Sequence, residues 1–237
     1  MKKYMLIFVV ASLVVWNFVL KAPVYRYVYA TKSDVVYNGE PLDVSISYLS
    51  QEQPIQFARI GGYDIEYVFK ASYQGWSRAV YVDVYEDDFH IGRKTLQVKI
   101  NNFYNSVSPL DLSLLSGETA QEGNWQKLDI NHEYRLLRIS YEYKDNPVFK
   151  YNEFSNLHIL PANKKIRKGF DTINKGDIVF VKGWLLDWKG TGELKDIEFK
   201  TALSQGEISD DKYGGKISGK CYYLYVTELI VDEYKFK

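Results

Sequence analysis

Residues 154–188 read FSNLHILPANKKIRKGFDTINKGDIVFVKGWLLDW. A polar, histidine-containing turn leads into a short helix. Asn163 is a good N-cap, and Pro161 just before it resists running the helix backwards. Residues 164–173 are expected to be helical, with Ile166, Phe170 and Ile173 on one face and the lysines elsewhere. Gly176 closes the helix and Asp177 opens a long apolar strand to Leu186. Gly183 in the middle of that strand predicts a bend or bulge, as small barrels need at their corners.

Working outward, Ile197–Leu203 is the expected partner of this strand and Cys221–Val231 the last strand. Between them, residues 204–220 read as a Gly- and Asp-rich loop. Upstream, residues 63–69 and 79–85 alternate like half-buried strands, with Gly75 as a break between them. An acidic turn follows at residues 86–88, then a third strand at 95–100 and a turn at Asn101-Asn102. Residues 108–117, SPLDLSLLSG, fit a brief helix or a buried loop. Residues 128–130 and 134–143 are strand-like.

The chain has 237 residues, of which 46% are apolar, enough to bury a core. Its 21 Tyr, 12 Phe and 5 Trp lean the composition toward sheet. Thirty basic residues balance thirty acidic ones, so the basic excess of a nucleic-acid binder is missing. The single cysteine, Cys221, rules out an intramolecular disulfide and a multi-cysteine zinc site, and is expected to be buried packing.

At the N-terminus two lysines precede an uncharged run of about 17 residues, near the lower limit for a membrane-spanning helix. Lys2 and Lys3 favour the cytoplasmic side and place the rest of the chain outside. An uncleaved anchor is favoured over a cleaved, secreted or periplasmic form, because the nearest cleavage candidate, Val28-Tyr29-Ala30, stands too far beyond Leu20, past Lys21 and Arg26. The expected organisation is an anchor over 1–21, a stalk or extended lead-in over 22–56 and an extracytoplasmic domain over 57–237.

Catalytic signals are sparse. His158 lies between apolar neighbours and titrates near neutrality, so it is the first candidate for acid–base work, with Asn156 and Asp177 as helpers. The competing reading is a half-buried histidine that pins its turn. His90 and His132 show no metal-ligand spacing with it, and no metal or cofactor is expected. Asp210-Asp211 reads as solvated loop charge. Trp184 and Trp188 are candidates for stacking on a base or a sugar; otherwise they are core. No Gly-rich phosphate loop or nucleophile elbow is present.

Gly176-Asp177 followed by IVFVKGWL resembles the opening strand of oligonucleotide/oligosaccharide-binding (OB) barrels. The combination Ser155-Asn156-x-His158-x-x-Pro161-Ala162 with Gly176-Asp177-x-Val179-x-x-x-Gly183-x-Leu185 also resembles a family of short bacterial membrane-anchored proteins. Pro54-Ile55-Gln56 and Pro109-Leu110-Asp111-Leu112 match two more of that family's motifs. Ser116-Gly117 stands where the family has Trp-Gly, and Cys221-Tyr222 where it has Cys-Glu. The resemblance implies a location and a fold, not a reaction.

The expected fold is mainly β, a β-rich α+β chain. It is a small OB-like barrel or open sheet with one or two short helices, preceded by a single N-terminal transmembrane helix. The expected function is a non-catalytic envelope module that binds a partner protein or a cell-surface ligand. The membrane is met through residues 4–20, and no nucleic acid is expected. An enzyme centred on His158 is the alternative, and an OB-like nucleic-acid or saccharide binder the third reading.

Overall fold

The computed structural model describes residues 20–39, 41–51, 53–85, 96–133, 135–142, 148–201, 207–210, 214–218 and 221–237, with Ser12, Val15 and Trp16. The acidic turn expected at 86–88, His90 and most of the expected anchor lie outside these residues. Among the described residues no helix is long and apolar enough to cross a membrane.

The chain is mainly β. In order it forms α1 (Lys21–Tyr29), β1 (Thr31–Lys32), β2 (Val44–Tyr48), β3 (Gln56–Ile60), β4 (Tyr63–Val84) and α2 (Leu96–Val107). Then come β5 (Leu110–Leu115), β6 (Asp129–Glu133), β7 (Leu136–Glu142), β8 (Phe154–Pro161) and α3 (Lys164–Phe170). The last are β9 (Ile178–Gly190), β10 (Glu198–Phe199), β11 (Glu207–Asp210), β12 (Gly214–Ser218), β13 (Cys221–Val231) and β14 (Tyr234–Phe236). Among the described residues they make one sheet of ten strands and one of four.

Within the large sheet, five strands close on themselves. β4 pairs β5 and β5 pairs β8, both antiparallel. β8 pairs β13 in parallel, β13 pairs β9 antiparallel, and β9 returns to β4 antiparallel. Inside the ring lies a core to which every strand contributes, including Tyr73, Leu112, Leu157, Val181 and Leu224. α3 joins β8 to β9 and feeds Ile166 and Phe170 into the same core. Asn163 caps this helix as expected, its side chain accepting from the Ile166 N–H at 3.0 Å; such a cap is worth about 1 kcal/mol.

Several elements differ from their sequence reading. The histidine stretch is a buried strand, β8, not a turn: Phe154–Leu160 is buried throughout, and a strand covered on both faces loses the alternation that marks strands. Residues 110–115 are β5 for the same reason, neither helix nor loop. The strand expected at 95–100 is instead the start of α2. Five residues of alternation fit both structures, and the longer spacing Ile100, Phe103, Tyr104, Val107 is helical. Residues 63–84 form one strand. Gly75 does not break it; a Cβ there would stand 2.1 Å from the carbonyl oxygen of Asp43, the residue just before β2, so the glycine admits a neighbouring backbone.

The lead-in is not an isolated stalk. α1 docks on α3, where Lys168 Nζ reaches Tyr25 Oη at 3.3 Å, and Arg26 pairs with Asp232 at 2.7 Å. β2 and β3 both pair with β4, and Leu42 is buried. Within residues 204–220, β11 and β12 form a hairpin whose second strand pairs with β7.

Candidate functional site

Side chains alternate across a strand, so the residues next to those filling the ring point outward. Register places Asp111 opposite His158 and Ser113 opposite Asn156 across β5 and β8. Across β8 and β13 it places Asn156 opposite Cys221 and His158 opposite Tyr223. A polar patch thus forms on the outer face of three adjacent strands. α2, inserted between β4 and β5, lies over it with Tyr104 and Asn105. The β6–β7 hairpin, inserted between β5 and β8, contributes His132 and Arg135.

Asp111 is the hub and is fully buried. Its Oδ1 accepts from His158 Nδ1 at 2.7 Å and from Arg135 Nη1 at 2.9 Å. Its Oδ2 accepts from Tyr85 Oη at 3.0 Å and lies 3.6 Å from His132 Nε2. A buried carboxylate needs this density of donors, because each lone pair taken from water must find a replacement.

Arg135 locks the cover to the barrel. It sits in the turn between β6 and β7 with φ +64°, a left-handed conformation unusual for a non-glycine residue. Nη2 donates to Asn105 Oδ1 at 2.8 Å and to the Ser108 carbonyl at 2.9 Å. The guanidinium lies between two rings, its carbon 3.7 Å from the centroid of Tyr85 and 4.0 Å from that of Tyr104. Asn156 holds the same turn from below, donating to the Arg135 carbonyl at 3.1 Å and accepting from Ser113 Oγ at 3.2 Å.

The two histidines respond in opposite directions. Burial alone would push His158 down, but its bond to Asp111, the Cys221 sulfur beside it and the Asp111 charge outweigh that and bring it up to about 9. His132 is held below its ordinary value, chiefly by burial, and stacks on Tyr81 with centroids 4.8 Å apart. Burial also raises the Tyr85 and Tyr104 hydroxyls, and the Asp111 charge adds to this. Tyr223, whose hydroxyl meets that of Tyr104 at 2.9 Å, rises to about 12, chiefly from burial.

The outer face continues from Tyr223 into an aromatic layer. Trp188 is 1% exposed and stacks on Phe199 at 4.2 Å, so this tryptophan is core and not a ligand platform. Trp184 is different. It is half-buried at the open edge of the layer, 5.3 Å from the Phe69 ring, and Phe69 in turn adjoins Tyr67 at 5.2 Å and Tyr225 at 6.3 Å. These four half-exposed rings form a row across β4, β9 and β13. Polar side chains flank it: Gln56 accepts from Tyr67 Oη at 3.0 Å, and Lys70 pairs with Asp187 at 3.3 Å.

Of the residues singled out in the sequence, the structure brings His158 and Asn156 together on β8. Asp177 stands apart from them, its carboxylate accepting from the Asn174 backbone N–H at 2.7 Å within the turn before β9. Arg135 and Tyr85 carry no sequence signal of their own, Asp111 enters only through the motif over residues 109–112, and His132 only as a histidine without metal-ligand spacing. The available signal was the period-two polarity of Asp111 and Ser113 inside LDLSLL, a polar face on an otherwise apolar strand. Among the described residues no group of three His, Cys, Asp or Glu is arranged to hold a metal ion. No family model, curated protein or solved structure matches the chain.

Proposed function

We propose that the chain is a non-catalytic module of the bacterial cell envelope, tethered through residues 4–20, that binds a surface saccharide on the outer face of an OB-like barrel. The observation that carries the reading is the row of Tyr67, Phe69, Trp184 and Tyr225. Flat, half-exposed rings flanked by hydrogen-bonding groups suit a sugar, which has apolar faces and a polar rim.

The connectivity supports it. A five-stranded ring with a long first strand, one parallel closure and a helix between its third and fourth strands resembles an OB barrel, a class that binds oligosaccharides and oligonucleotides; the likeness bears on the kind of ligand and not on the place of the row, which lies on the first, fourth and fifth strands of the ring. Balanced charge favours the neutral ligand over the polyanion.

Purified peptidoglycan co-sedimentation and tryptophan-fluorescence titration with N-acetylglucosamine oligomers test this. The wild type is expected to sediment and to change its emission. The Trp184→Ala, Tyr225→Ala double variant is expected to lose at least about tenfold in affinity, since stacked rings contribute about 1–3 kcal/mol each. No binding by the wild type, or equal binding by the double variant, contradicts the reading.

A further inference from the structure

α1 presents two different faces. Tyr25, Arg26 and Tyr29 turn toward the barrel. Lys168 Nζ lies 4.7 Å from the Tyr25 ring centroid, and Arg26 pairs with Asp232 at 2.7 Å while covering the Tyr234 ring at 5.1 Å. Helical spacing gathers Leu20, Val24, Tyr27 and Val28 on the opposite face. That face is apolar and uncovered: Tyr27 is 90% exposed and Val28 57%. A helix that met only water there would turn polar side chains outward.

Two observations say what covers the stripe. The uncharged run over residues 4–20 ends where α1 begins. Trp16, near the end of that run, stands edge-on to Tyr25 with centroids 6.3 Å apart, so the run leaves the barrel beside α1. Pro23 lies in the first turn of α1, where its missing N–H costs little, but it cannot bond back to residue 19, and the chain is free to change direction there. The second observation is charge. Lys164 Nζ lies 6.0 Å from the Tyr29 centroid and Lys165 follows it on α3; both are exposed, and neither forms an ion pair with the described residues. An apolar, aromatic stripe flanked by free cations is the chemistry of a helix lying in the headgroup layer of an anionic bilayer.

We propose that α1 lies on the bilayer surface, with Leu20, Val24, Tyr27 and Val28 among the lipid headgroups and its other face holding the barrel. The inference rests on the tether proposed for residues 4–20 and adds a fixed orientation to it. A tether alone lets a domain swing. α1 is joined to α3 and, through Asp232, to the turn before β14, so the end of the barrel that carries α3 faces the membrane.

The test places photoreactive benzoylphenylalanine at one position at a time in the full chain, reconstituted in vesicles of phosphatidylcholine and phosphatidylglycerol. After irradiation, intact mass shows whether a phospholipid, a second chain or nothing has been added. Val10, inside the run, reports the tether, and Tyr27 and Val28 report the stripe. Lys200, whose side chain is 67% exposed beside the far end of β9 from α3, is the control. Phospholipid adducts are expected at Val10, Tyr27 and Val28 and not at Lys200. A lipid adduct at Val10 with none at Tyr27 and Val28, or with a crosslinked dimer there, overturns the inference and leaves the tether standing. Equal lipid adducts at Lys200 and Val28 show that the barrel has no fixed orientation and overturn it as well. No lipid adduct at Val10 overturns the tether and this inference with it.

Discussion

Arg135 meets carboxylate, amide, carbonyl and two aromatic faces with one guanidinium, which a lysine's point charge cannot reproduce. Its left-handed backbone costs on the order of 1 kcal/mol or more, and these contacts offset it. Removing it leaves Asp111 buried with one ionic partner fewer. Arg135→Ala is therefore expected to lower stability by about 3–5 kcal/mol in chemical denaturation. Arg135→Gly is expected to fall nearly as far, because it relieves the backbone but not the charge; a loss below about 1 kcal/mol for both would show that the carboxylate is not held by this arginine. Asn156 and His158 were legible in the sequence because polar residues interrupt an apolar run there. Their partners were not, since Asp111 and Arg135 come from separate parts of the chain and meet only through strand register.

At the level of the element, β9 and β13 decide whether the ring closes. The bulge that Gly183 suggested in β9 lies instead on its partner: β9 pairs without a break through Gly183, and the β13–β9 register slips between Val226 and Glu228 of β13. The need for glycine is a close approach: a Cβ at Gly183 would stand 2.2 Å from the Tyr225 carbonyl oxygen. Backbone cannot yield as a side-chain tip does, so Gly183→Ala is expected to cost at least about 2 kcal/mol, read as a lower midpoint in thermal denaturation. An unchanged midpoint would mean that the two strands do not run this close. The strands with a single break residue and a clear end, β9 and β13, were legible from sequence. β5 and β8 were not, because burial on both faces erases their alternation, and α2 was not, because Leu96–Ile100 alternates over too few residues to separate helix from strand.

For the whole molecule, the organising fact is that the ring's outer face is covered by the chain's own insertions. α2 and the β6–β7 hairpin close over the Asp111 cluster, while the row around Trp184 stays half open. Residues 22–56, set apart in the sequence by their turn residues, join the same sheet through β2 and the first residue of β3 because the 22-residue β4 offers edges longer than the ring needs. The cover makes global stability depend on the protonation of the cluster. His158 is protonated in the folded state up to about pH 9 and in the unfolded chain only below its ordinary value near 6.5. Its contribution is thus complete below pH 6.5 and lost as pH rises through 9, and the difference is worth on the order of 3 kcal/mol. His132 acts oppositely: its contribution is complete above its ordinary value and fades as pH falls below it.

The most direct test is the unfolding free energy of the wild type and His158→Gln, measured by denaturant titration from pH 6 to 9.5. The wild type is expected to lose stability between pH 6.5 and 9, and the variant, lacking the group, to be flatter over that interval. Parallel curves for the two proteins would contradict a protonated His158 bound to a buried Asp111, and with it the cluster on which the site is built.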